Sequence, residues 1–226
     1  TLYLRKGIKW HKGRDFTADD VVWNIKRVLD PATGSSVLGL MKGYMMNDDG
    51  TALWDANAVE KIDDFTVRLN CRTAQLAVPE HFFHYPFLIL DPEEGGTFGP
   101  GSNGTGAFEL TAHEVGKKSV LKARGDYWSG EGPYLDSIEF IDLGDDPAAA
   151  LGALASRQVH GLFNAEAQLL GALKKLESGQ MCEAATAETA VIRGKVTEKP
   201  FDDARVRKAL RLAIDSEKVL QVSLLS

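Results

Sequence analysis

The stretch "GPGSNGTGAFEL", residues 99–110, decides how the chain is read. Gly99, Gly101 and Gly104 satisfy G-x-G-x-x-G, and Gly106 follows. That spacing marks a dinucleotide site only where a strand precedes the glycines and a helix opens straight after them, so that the pyrophosphate rests on the helix N-terminus. Here Ala107, Phe108, Glu109, Leu110 and Thr111 follow, an extended sequence, and no Lys-Ser or Lys-Thr pair completes a P-loop. The glycines are therefore read as mechanical. Asn103-Gly104 and Gly106 supply positive φ and close backbone packing where the chain enters a strand. Asn103-Gly104-Thr105 also has the form of a glycosylation sequon, which by itself says little.

Downstream of the loop, "GAFELTAHE" and "KSVLKARGD" read as two strands with a turn at Gly116, and "LDSIEFIDL" as a third. "PAAALGALAS" is a helix with Pro147 at its first position. "QVHGLFN" reads as a short strand, "EAQLLGALKKLES" as a helix stopped by Gly179, and "ETAVIRGKV" as a strand. Asp202 or Asp203 caps a last helix, "ARVRKALRLAID". Upstream, residues 3–5 are extended and "HKGRDF" is a turn. Thr17 is an N-cap with Asp20 in the capping-box place. The next helix sets Val21, Val22, Ile25, Val28 and Leu29 on one face and ends at Asp30-Pro31. Residues 32–56 read as a long loop or a broken helix. "AVEKIDDFTVRLNC" is a hairpin turning at Asp63-Asp64. Pro79 opens a short apolar helix that Pro86 breaks. Strands alternating with helices and hairpins indicate a mixed α/β fold. The composition shift at 91–104 is the expected boundary, with one domain over 1–100 and another over 101–226.

The chain has 226 residues, with 44% hydrophobic and 26% charged side chains, enough to bury a core without disulfide or metal staples. Its net charge of −6 argues against a nucleic-acid surface, which needs a concentrated basic field. No stretch approaches the roughly 20 apolar residues of a membrane span. "FFHYPFLIL", residues 82–90, is too short and carries His84. Cys71 and Cys182 match no zinc or redox spacing and are read as two buried thiols rather than a disulfide. Both termini break off inside apparent elements, so the chain is expected to be a piece of a longer one.

Catalytic and metal chemistry find little anchor. His81 and His84, spaced i, i+3 beside Glu80, could share a helix face, but no third ligand is signalled. No G-x-S-x-G elbow is present. Asp145-Asp146 and Asp202-Asp203 precede helices, where capping is their plain role. In the last helix Val206, Ala209, Leu210 and Ala213 form an apolar stripe, so Arg205, Arg207, Lys208 and Arg211 are read as its solvated side. The methionines at 41, 45 and 46 are read as core, with an adaptable ligand surface as the alternative. No cofactor and no metal are expected.

Several segments together resemble the family 5 extracellular solute-binding proteins, the dipeptide, oligopeptide and nickel-type receptors of ABC importers. "LYLRKGIKWHKGRDFTADDVVWNIKRVLDP" is similar to their early segment and "AVEKIDDFTVRL" to the hairpin after it. "GSNGTGAFEL" resembles their G-T-G-P-F strand entry, with Ala107 where Pro is usual. "LKARGDYWSGEGPYLDSIEF" resembles their aromatic segment at Gly125, Asp126, Tyr127, Trp128, Pro133 and Asp136. "KPFDDARVRKALRLAID" is similar to their P-F-x-D-x-R-V-R-x-A-L-x-x-A-I-D helix. Each motif is modest; five in the same order along nearly the whole chain are specific.

The resemblance implies a type II periplasmic-binding-protein-like fold. Residues 1–100 would be part of the peripheral subdomain of the first lobe. Residues 101–226 would be the core of that lobe up to the start of the second, which is absent. It implies a receptor without catalysis that delivers a small solute, for instance a peptide, to a membrane permease. The location would be periplasmic, or extracellular and lipid-anchored in a Gram-positive organism. The ligand-facing residues would be Met41, Tyr44, Met45, His84 and Tyr85, each of which packing would explain as well. The other classes are an interaction or chaperone-like domain of the same fold, and an enzyme with an unrecognised site. A single lobe offers half a cleft, so the piece alone is expected to bind weakly. It would also expose apolar residues such as Leu224 and Leu225 and tend to self-associate.

Overall fold

Helix α1, Ala18–Leu29, organises the N-terminal part of the chain. Its start is fixed as the sequence requires. The Asp20 carboxylate reaches back to accept from the backbone N–H of Thr17 at 2.8 Å. Val21, Ile25, Val28 and Leu29 then fall on one buried face. The computed structural model describes residues 1–165, 169–176, 179–182, 184 and 191–219. They divide into two compact units, Thr1–Asp142 and Leu143–Ser226.

In the first unit, β1 (Leu2–Tyr3), β2 (Val59–Asp63) and β3 (Thr66–Leu69) form an antiparallel sheet in the order β1-β3-β2. Val59 and Val67 point into the core. The hairpin turn falls on Asp64 and Phe65, one residue later than the sequence suggests. The cause is a bulge: Lys61 pairs with Val67 and Asp63 with Thr66, so Ile62 has no partner and turns outward. The segment left open between loop and broken helix forms helix α2, Val37–Met45. Met41, Met45 and Met46 are fully buried against α1 and the hairpin, as core residues. Helix α3, Val78–Phe83, carries Pro79 in its first turn and is followed by a 3-10 turn over Tyr85–Phe87.

A second antiparallel sheet completes this unit: β4 (Phe108–Glu114), β5 (Lys118–Ala123) and β6 (Ser137–Ile141), in sequence order. Gly116 takes φ 71° in the β4–β5 turn. The compact units therefore part after Asp142 and not near residue 100. The composition shift at 91–104 is a seam inside the first unit. There Asp91 receives both Arg14 and the side chain of Asn103, and Arg14 also pairs with Asp20 at 2.8 Å. Asn103 is buried in this network, so the sequon is closed to modification in the folded chain.

The second unit contains α4 (Pro147–Ala155), the single turn α5 (Leu170–Leu173) and α6 (Ala204–Ala213). The expected strand over 158–164 is irregular. Arg157 closes α4 with φ 60°, and residues 158–164 pair with no described segment. The helix expected over 166–178 shrinks to α5 among the described residues. Of the strand expected over 188–196, residues 188–190 lie outside the described residues and 191–195 pair with nothing described. Leu224 and Leu225 also lie outside them. Both cysteines are free. Cys71 is half-buried, but Cys182 is exposed, contrary to the expected buried thiol.

Candidate functional site

The glycine loop is held by backbone and side-chain contacts that leave it no phosphate cradle. The carbonyl of Gly104 accepts from the backbone N–H of His11 at 2.8 Å. The carbonyl of Thr105 accepts from the Trp128 indole at 3.0 Å. His11 Nε2 donates to the carbonyl of Gly106 at 3.2 Å. The loop's own donors are already engaged: the Asn103 N–H donates to the Glu94 carboxylate at 3.0 Å and the Gly101 N–H to the Leu110 carbonyl at 2.8 Å, so they are not aimed together at a phosphate. Of its four glycines only Gly101 has positive φ, 80°. Gly104 is needed for a different reason: a Cβ there would lie 3.2 Å from the His11 ring. Arg5 lies over the Trp128 ring at 4.5 Å, so the aromatic segment after β5 clamps the loop from outside.

A different part of the surface has the character of a binding face. Between residues 76 and 88 the chain exposes Leu76, Phe83, Tyr85 and Leu88, each at least 70% accessible. The backbone of this stretch is anchored to the rest of the unit. The anchors come from α1. The Asn24 amide donates to the Leu90 carbonyl at 2.8 Å, and the Leu90 N–H donates to Asn24 Oδ1 at 2.9 Å. The Arg27 guanidinium donates to the Leu88 carbonyl at 3.0 Å. Phe87 turns inward against Phe82, with ring centroids 4.5 Å apart. With the strap pinned at 87–90, its remaining aromatics project outward.

The five residues singled out from the sequence fall at three depths here. Met41 and Met45 have no accessible surface and can act only from behind the face. Tyr44 is also buried, but its hydroxyl reaches Nδ1 of His81 at 2.9 Å, and the two rings stack with centroids 5.8 Å apart. Burial, with a smaller contribution from Cys71, pushes the Tyr44 hydroxyl up to about 12. His84 is half-buried and packs edge-on against the exposed Tyr85 ring, 4.9 Å away. Sequence reading missed Asn24 and Arg27 as anchors and treated His81 only as a metal candidate. Asn24 had a signal: it is a polar residue on the apolar stripe of α1.

An open depression of about 360 Å³ lined by Lys42, Gly43, Asn47, Asp48, Arg72 and Thr73 shares none of these residues. Its Arg72 is already committed to Asp48 at 2.7 Å and to the Met46 carbonyl at 3.0 Å. Among the described residues no cluster of three or more His, Cys, Asp or Glu could hold a metal ion. None of the helices described is long and apolar enough to cross a membrane.

The mixed α/β chain has the fold of the OppA-type periplasmic binding proteins, on which it superposes over nearly its whole length. Residues 1–225 match the family described as Bacterial extracellular solute-binding proteins, family 5 Middle, and the chain belongs to that family. The glutathione-binding protein GsiB of Shigella boydii is 27% identical across 99% of this chain and 42% of its own length. The di/tripeptide-binding protein 2 of Pseudomonas aeruginosa is 26% identical across 98% of this chain and 44% of its own. The periplasmic oligopeptide-binding protein OppAIV of Borrelia burgdorferi superposes with a TM-score of 0.76. It is 22% identical, over 99% of this chain and 46% of its own. Haemophilus influenzae OppA, solved with the peptide RPPGFSPFR, gives a TM-score of 0.72 at 21% identity, over 97% of this chain and 45% of its own. The chain spans less than half the length of these relatives.

Proposed function

We propose that this chain is part of the solute-binding receptor of an ABC importer, which captures a peptide-like solute outside the cytoplasmic membrane and passes it, chemically unchanged, to a membrane permease. Within that receptor the chain supplies the first lobe with its peripheral subdomain. The observation that carries the reading is the family match over nearly the whole chain; the anchored face at 76–88 adds a place for the solute. Tyr85 and His84 would touch the solute, while Tyr44, Met41 and Met45 support them from the interior. Such a face suits a peptide because apolar side chains bind by burial, and a second lobe closing over it would supply the remaining desolvation.

The test is calorimetric titration of the whole receptor that contains this chain, with trialanine and with reduced glutathione. Saturable binding of one of them is expected, weakened by Tyr85→Ala, with both probes recovered unaltered. Failure of both to bind would overturn the reading. Equal affinity in the 226-residue chain alone would overturn the two-lobed account of the site.

A further inference from the structure

We infer that His81 is a specificity-determining residue of this face, its Nε2–H donating to an oxygen of the bound solute; the inference rests on the peptide-receptor reading above. It follows from proton accounting at the Tyr44–His81 pair. Tyr44 is 2% exposed, and its hydroxyl has His81 Nδ1, 2.9 Å away, as its partner. A tyrosine hydroxyl carries one proton and can either donate it or accept another. Accepting from an Nδ1–H would leave the Tyr44 proton buried with no acceptor among the described residues, which costs the full desolvation of that group. With its pKa pushed up to about 12 by burial, the hydroxyl keeps its proton. It therefore donates, Nδ1 of His81 is the acceptor, and the ring proton sits on Nε2.

Nε2 of His81 has no partner among the described residues, and the residue is only half-buried. Its ring plane is set by the stack on Tyr44, an interplanar angle of 22°. The donor is thus fixed before any ligand arrives, unlike His84, whose ring contact is with the exposed Tyr85. No lysine or arginine occurs between residues 73 and 90. In a segment that also exposes Leu76, Phe83 and Tyr85, a neutral N–H selects for an oxygen acceptor on an otherwise apolar solute surface: a peptide carbonyl or a terminal carboxylate.

The whole receptor, labelled with 15N-histidine, gives the test. Long-range 1H–15N spectra should show His81 as the Nε2–H tautomer, and trialanine should shift its Nε2 resonance. His81→Phe keeps a ring for the stack but removes the donor, and should weaken trialanine binding on the order of tenfold. His81→Gln restores a donor and should recover most of that loss. Tyr44→Phe should release the tautomer and mix the two forms. Trialanine amide separates the two acceptors: an equal loss with acid and amide assigns a carbonyl, a loss with the acid alone assigns the carboxylate. An Nδ1–H tautomer, or an unchanged affinity in His81→Phe, overturns the inference and leaves the receptor reading intact. Absence of any binding by the unmodified receptor overturns both.

Discussion

Helices α1 and α6 carry the same local design and meet different fates. Each has its first turn closed by a carboxylate, Asp20 at the third position of α1 and Asp203 at the cap of α6; each has an apolar stripe, and each presents basic residues on its other side. In α1 the cap carboxylate of Asp20 is buried and receives Thr17, Arg14 and, at 3.4 Å, the Trp10 indole. Its stripe is sealed by α2 and the β2–β3 hairpin. In α6 the cap of Asp203 accepts from the Arg205 N–H at 2.7 Å, but no residue of the helix is buried, and Leu210 and Leu212 face outward. The expected burial of the Val206, Ala209, Leu210 and Ala213 stripe is therefore corrected. An amphipathic pattern states that a helix can be packed on one face; what packs there is a separate matter. Among the described residues of the second unit only Ala153, Leu169 and Leu173 are buried apolar side chains.

The caps give the largest test of this contrast. All four tryptophans lie in the first unit, so their fluorescence in urea reports on that unit. Asp20→Ala takes one carboxylate from a half-buried Arg14, which keeps Asp91, and leaves the Trp10 indole and the Thr17 N–H without their acceptor; it should cost about 4 kcal/mol. Asp203→Ala should leave the tryptophan transition unmoved and lower only the helical circular-dichroism signal. A similar fluorescence shift for both variants would break the contrast.

Core truncations come next. Ile25→Ala, from a fully buried site, should lower stability by about 3 kcal/mol. Leu210→Ala should change the chain's stability by less than about 0.5 kcal/mol. A Leu210→Ala loss as large as that of Ile25→Ala would show that α6 is covered in solution.

Acid should separate the first unit from the second more gently. Burial, and then the charge of Arg124, hold His11 below its ordinary value of 6.5; Glu109, Asp126 and the Gly106 carbonyl pull the other way. His11 Nδ1 is buried with no partner among the described residues, so a proton placed there would be unsatisfied. The folded state thus favours neutral His11. The stability this contributes is complete above the ordinary value of 6.5 and is lost as pH falls through the lower folded value. The tryptophan transition should weaken in that window, and His11→Gln should flatten the response. A wild-type transition indifferent to pH between about 7 and about 5 would remove His11 from the seam.

What the sequence determined alone is what acts within a turn or two of chain. Thr17 with Asp20, Asp203 before α6, Gly116 between strands, and a glycine loop entering a strand were all legible because their partners are close in sequence. Tertiary structure decided whatever depends on distant partners. Tyr44 meets His81 across 37 positions, and Asn24 pins Leu90 across 66. Residues 37–45 became a helix once Met41 and Met45 had α1 to pack against, and Ile62 turned outward because the facing strand dictated a bulge. Burial and long-range hydrogen bonding are properties of neighbours, and a side chain's own chemistry only makes it eligible for them.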